Sequence, residues 1–157
     1  MLDASLRYLS YIEQALQEIK ACELDAINQA GDLIGESIAE GRVFHIFGSG
    51  HSELIAYDCF ARAGGLACAN KITDPSRGLA ERVEGYILTI LERYDLRAGE
   101  VLIIISNSGR NPAPIDACLY GQSRGLKVVA ITSLSHSKAV SSRHSSGKKL
   151  YELADLV

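Results

Sequence analysis

The chain has 157 residues, 47% of them hydrophobic and 22% charged, and carries a net charge of −3. That length suits one domain with a substantial core, and the balance is that of an ordinary globular protein. With no long basic run, nucleic acid and anionic membrane are excluded as expected partners. A weakly acidic chain can still bind an anion, because backbone N–H groups serve as the ligands. Cysteines at 22, 59, 68 and 118 form no C-x-x-C pair, which points to reduced, mostly buried thiols in a cytoplasmic protein. No metal and no cofactor are expected. The charged N-terminus MLDASLRYLSYIEQ does not read as a signal peptide, and no apolar run approaches a membrane span.

Leu2, Leu6, Leu9, Ile12, Leu16 and Ile19 recur at steps of three and four, the mark of one apolar helix face. Leu24, Ile27, Ile34 and Ile38 continue the period, so residues 3–40 are expected as one long helix or two abutting ones. Two roles stand open for this segment: packing on another subunit, or covering the chain's own sheet. Residues 41–157 then form the second unit. Val43–Phe47 is a short apolar run ending at Gly48, and Glu53 to Arg62 reads as a helix. Ala67 to Ile72 is a weaker strand, Leu79 to Tyr94 a helix, and Val101 to Ile105 a β-branched strand. Pro112 opens a helix through Ser123, Lys127 to Thr132 is the next strand, and Tyr151 to Val157 a fifth. The polar stretch from Ser133 to Lys149 reads as a surface loop.

Strands alternating with helices on short connections predict an α/β fold, a three-layer α/β/α sandwich around a five-stranded parallel sheet. In such sheets ligands lie beyond the C-terminal strand ends, at a switch in strand order. Three strand ends carry small polar residues. The first is Gly48-Ser49-Gly50-His51-Ser52, before a helix. The second is Ser106-Asn107-Ser108-Gly109-Arg110-Asn111, before Pro112, and the third is Thr132-Ser133. Glycines admit close backbone approach, and helix N-termini offer free N–H donors. One such turn explains itself by helix capping; three converging on one sheet end argue for a phosphate site. No G-x-x-x-x-G-K-[ST] nucleotide loop occurs, and a dinucleotide fingerprint fails because position 53 is Glu.

A strand followed by GSGHS and a helix, then a strand followed by SNSG and a helix, then a strand ending in TS, resembles the SIS (sugar isomerase) domain over residues 40–157. The stretches RAGGLA, ISNSGRNPAPI and SRHSSGKKLYELAD are similar to a bacterial branch of that family labelled phosphoheptose isomerase or etherase-like. The resemblance implies a flavodoxin-like sheet and a phosphorylated sugar as ligand. Ser52, Ser106, Ser108 and Asn111 take the family's phosphate positions, Asn111 standing where a hydroxyl residue is usual. Gly48, Ser49, Gly50, Asn107, Gly109, Thr132 and Ser133 complete the expected site. The resemblance also implies a homodimer or homotetramer, with the N-terminal helix between subunits. The branch continues past the position of Val157, so a C-terminal piece is expected to be missing. The implied activity is aldose–ketose isomerisation; an etherase-type lyase and a non-catalytic sugar-phosphate sensor are the alternatives.

Either reaction removes a proton from carbon, which a carboxylate serves. Val83-Glu84-Gly85 resembles a stretch of the etherase family whose glutamate is that base, so Glu84 is the candidate, with Glu81 next. His51 and His144 are candidate acids. Each has a plain structural counterpart: a surface helix carboxylate for Glu84, a hydrogen-bonding filler for His51, a loop residue for His144. Glu53 is expected to point away from phosphate, and His45 to be a buried structural histidine.

Overall fold

The computed structural model describes residues 3–157; Leu2, the first residue of the apolar stripe, lies outside the described residues. Two abutting helices open the chain. α1 (Ala4–Cys22) is capped by Asp3, whose carboxylate accepts the Ser5 N–H, and α2 (Leu24–Ala39) follows after Glu23. Four parallel strands follow: β1 (Phe44–Gly48), β2 (Ala69–Ile72), β3 (Val101–Ile105) and β4 (Lys127–Ile131), in the order β2-β1-β3-β4. Between them lie α3 (Ser52–Ala61), the short α4 (Leu88–Leu91) and α5 (Pro112–Ser123); α6 (Leu134–Ala139) comes after β4.

The alternation of the strands builds three layers. Leu102, Ile104, Phe47, Ile72 and Val128 face one way and pack with Ile87, Leu91, Ala113 and Ala117 of the α4 and α5 side. Val101, Ile105, Ile46, Phe44 and Val129 face the other way, against Ala56 of α3 and Ala30, Leu33, Ile34 and Ile38 of α2. α2 therefore covers the sheet, whereas α1 buries none of its residues. His45 is fully buried as expected, its Nε2 2.8 Å from the Glu100 carboxylate and its Nδ1 3.1 Å from the Asn70 amide.

Three expectations need correction. The fifth strand is reduced to one bridge, Val129 with Leu156. Residues Leu150–Glu152 turn as a 3-10 helix, and the Asp155 carboxylate accepts the Val128 N–H at 2.8 Å, taking a donor that strand pairing would have used. The helix from 79 to 94 survives only as Leu88–Leu91. Upstream, the Asp74 carboxylate accepts the Ser76 and Gly78 N–H groups and the Tyr86 hydroxyl, and Gly78 and Gly85 adopt positive φ, so the chain turns repeatedly. Leu79, counted in the apolar face, is 92% exposed. The thiols are not mostly buried: Cys22 and Cys59 are exposed, Cys68 is half-buried and Cys118 is buried.

The segment after Ser133 is more ordered than a plain loop. It starts with α6 and is tied down by Leu150 N–H on the Gly109 carbonyl (2.8 Å), Arg143 N–H on the Arg110 carbonyl (2.8 Å) and Lys149 Nζ on the Ser137 carbonyl (2.8 Å). No described helix is long and apolar enough to cross a membrane.

Candidate functional site

The strand order reverses between β1 and β3, which pair in register from Phe44–Val101 to Gly48–Ile105. Their two outgoing loops consequently leave the sheet side by side, at the place where ligands bind open α/β sheets. In the first, Gly50 takes a φ of +57° and the Ser52 N–H closes back on the Ser49 carbonyl. A Cβ on Gly48 would lie 2.6 Å from the Ser52 carbonyl oxygen, so the tightness of this turn requires glycine there. In the second, Gly109 at φ +56° donates its N–H to Ser106 Oγ at 3.2 Å. Pro112 then starts α5, with Asn111 in extended conformation just before it.

A cavity of about 260 Å³ opens between these loops. It is lined by Ser49, His51, Ser52, Ser106, Asn107, Ser108 and Asn111, together with Glu81 and His136. Seven of the expected site residues are thereby brought together. Gly48 ends β1 beneath the first loop, and Gly109 braces the second against the Leu150 side chain. Thr132 and Ser133 sit behind the lining: the Thr132 hydroxyl and the Ser133 N–H both donate to the Asn107 carbonyl, at 3.2 and 3.0 Å. The third loop thus fixes the second.

A larger cavity, about 610 Å³, adjoins the first and is lined by Gly50, His51, Glu53, Leu54, Arg77, Gly78, Leu79 and Glu81. Glu53 carries a 2.5 Å ion pair to Lys71, so its charge is matched inside the fold. Arg77, on the rim, holds a φ of +51° within the turn that Asp74 organises.

Glu81 binds both loops. Its two carboxylate oxygens accept the Ser49 hydroxyl at 3.0 Å and the Asn111 amide N–H at 2.8 Å. Its backbone carbonyl accepts the Ala113 N–H at 3.0 Å, one of the free donors in the first turn of α5. Asn111 in turn accepts from Arg143 at 2.8 Å. Arg143 stands near Arg110 and Arg82; desolvation first, then those two charges, holds its pKa below the usual arginine value.

Glu84 and His144 line neither cavity. The exposed Glu84 carboxylate accepts the Ser145 N–H at 2.5 Å. The Ser145 hydroxyl and then that N–H hold it below the usual carboxylate range. His144 is nearly buried, with Nε2 3.0 Å from Asp116 Oδ1 and Nδ1 2.7 Å from Ser146 Oγ. The other oxygen of Asp116 accepts the Gly85 N–H at 2.8 Å. These contacts clasp the 142–147 turn onto α5 and the segment around Glu84.

The sequence reading passed over His136 as a site residue. Its signal was a serine three residues earlier, two positions past β4: Ser133 Oγ accepts the His136 N–H and caps α6. Glu81, the second candidate base, carried no mark of its place between the two loops, since its turn departs from the helical period that its neighbours suggest.

Comparison with known proteins gives a consistent picture. The SIS domain family matches residues 7–133. A UPF0309 protein from Caldanaerobacter subterraneus subsp. tengcongensis is 46% identical over 160 residues, covering 96% of this chain and 65% of the relative. A UPF0309 protein from Shouchella clausii is 39% identical, covering 95% of this chain and 68% of the relative. The chain thus spans about two thirds of the length of the curated relatives it matches. Among solved structures, a phosphoheptose isomerase from Francisella tularensis superimposes with a TM-score of 0.66 at 18% identity, over 98% of this chain and 82% of that one. The phosphoheptose isomerase from Neisseria gonorrhoeae gives 0.62 at 20% identity, over 88% and 81%. At such identities the likeness is one of fold.

Proposed function

This chain belongs to the SIS domain family, and we propose that it binds a phosphorylated sugar between β1 and β3 and interconverts its aldose and ketose forms. One observation carries the reading. Three serines from two separate loops, Ser52, Ser106 and Ser108, meet on one small cavity at the switch point of a parallel sheet. Hydroxyls and a nearby helix N-terminus suit a phosphate dianion without demanding a basic side chain in contact. The adjoining 610 Å³ cavity has room for the sugar chain. The match to the SIS domain supports the ligand class, and the fold shared with two phosphoheptose isomerases agrees with the reaction.

The assembly we propose is at least a dimer, built on α1. Leu6, Leu9, Ile12, Leu16 and Ile19 line that helix and remain between 38% and 59% exposed, a continuous apolar stripe that the chain itself does not cover.

Calorimetric titration with a panel of hexose and heptose phosphates tests the site. Each hydroxyl donated to a charged acceptor contributes about 1.5–3 kcal/mol. Ser106→Ala with Ser108→Ala is therefore expected to weaken binding by about a hundredfold or more. Unchanged affinity in a folded double variant refutes the assignment.

A further inference from the structure

Resting on that reading, we propose that Glu81 and His51, rather than Glu84, carry the proton transfers of the isomerisation. These two side chains line both cavities. They stand where the smaller, hydroxyl-rich space meets the larger one. An open-chain sugar anchored by its phosphate in the first passes between them to enter the second. Glu84 touches neither space, and its carboxylate is occupied by Ser145.

The geometry of Glu81 is that of a positioned base. The backbone is fixed on α5 through Ala113, and the carboxylate is held from two sides by Ser49 and Asn111. Each carboxylate oxygen accepts one of these hydrogen bonds and keeps further lone-pair capacity for a substrate proton. The two donors also disperse part of its charge, which matters beside a phosphate. A carboxylate with this role needs alignment before substrate arrives, and cross-loop bonding supplies it.

The step balances without any oxidant or further reactant. Glu81 takes the proton from the carbon beside the carbonyl. The C–H electron pair becomes the carbon–carbon double bond of an enediol, and the carbonyl π pair takes a proton from the protonated His51 imidazole. In the second half His51 regains a proton from the neighbouring hydroxyl, whose oxygen becomes the new carbonyl. The double-bond electrons then take the proton from Glu81 at the former carbonyl carbon.

Exchange of carbon-bound hydrogen with deuterated water, read by NMR with the same hexose and heptose phosphates, isolates the first proton removal. Calorimetry measures binding of the same panel separately. Glu81→Gln preserves size and is expected to cut exchange at least a hundredfold, in the range of a lost general base, with affinity within about fivefold. Glu81→Asp keeps the charge but withdraws it, and is expected to slow exchange at least tenfold. His51→Asn is expected to do the same. Wild-type exchange in either Glu81 variant or in His51→Asn, or a larger loss in Glu84→Gln than in Glu81→Gln, overturns the proposal. A wild-type protein that binds a sugar phosphate but catalyses no exchange also overturns it, while the binding assignment stands. Failure to bind any of the panel removes the phosphosugar reading and this proposal with it.

Discussion

Gly78→Ala tests whether the candidate site depends on a backbone contact rather than on side chains alone. Gly78 sits in the turn that Asp74 organises, at φ +86°. A Cβ there would lie 2.7 Å from Gly50 Cα, against the 3.4 Å at which ordinary contact begins, so the two backbones must part by about 0.7 Å. Two costs follow. The left-handed backbone penalises any side chain by about 1–2 kcal/mol, and overpacking against an unyielding neighbour adds about 1–3 kcal/mol. Gly64 provides the comparison, since its φ is +77° but a Cβ there meets nothing within 4 Å. Denaturant titration is therefore expected to show a loss of about 1–2 kcal/mol for Gly64→Ala and about 2–5 kcal/mol for Gly78→Ala. Because Gly50 belongs to the first loop of the site, calorimetry with a bound sugar phosphate is expected to show at least about tenfold weaker binding in Gly78→Ala, equivalent to one misplaced hydroxyl contact. Gly64→Ala is expected to bind as wild type. Equal stability losses and equal affinities in the two variants would refute the reasoning.

Other consequences are open to direct measurement. Replacing Leu9 and Leu16 together with glutamate is expected to lower the particle mass seen by light scattering; a wild-type protein that is monomeric at micromolar concentration defeats the α1 assembly. Glu100 is buried and accepts both the His45 ring and the Arg97 N–H. Its replacement by alanine is expected to cost about 3–5 kcal/mol in thermal or chemical unfolding, and a loss under 1 kcal/mol contradicts the pairing. Burial, with a smaller contribution from Asp155, pushes the Cys118 thiol up from 9.0 to about 12. The native thiol thus keeps its proton where the unfolded one loses it, and stability falls as pH rises through the window from about 9 to about 12. At neutral pH a thiol reagent is expected to label Cys22 and Cys59 in the native protein and Cys118 only on unfolding; rapid native labelling of Cys118 contradicts its burial.

What the sequence made legible followed from periodicity and turn chemistry. Val101 to Ile105 and Val43 to Phe47 announced strands because no polar residue interrupts either run apart from His45, and the two loops after them were visible as Gly/Ser clusters at known strand ends. The segment from 79 to 94 misled because Leu79 and Val83 match a helical period while being exposed, and the Asp74 turn that overrides it depends on side-chain hydrogen bonds across two to twelve residues. Glu81 stood second as a candidate base, and its place between the two loops was hidden for the same reason. Its partners, Ser49 and Asn111, lie about thirty residues away on either side, and only the pairing of β1 with β3 brings them to it. The missing fifth strand turned on one carboxylate, Asp155, which the run of apolar residues around it did not reveal.

The adjacency of β1 and β3 also sets an order of events when the chain folds. Phe44 pairs with Val101, whereas Val101 pairs with Lys127 across a much shorter stretch. Closing the longer loop costs more chain entropy and slows the search. The units β1–α3–β2 and β3–α5–β4, each paired across a short stretch, are thus expected to assemble early, and the pairing of β1 with β3 to join them later. Since Ser52 and Ser106 approach each other only through that pairing, the chain acquires its binding cavity at the end of folding and not along the way. In a refolding time course, ligand binding would report the closure of the sheet's centre, after most of the helical signal has already returned.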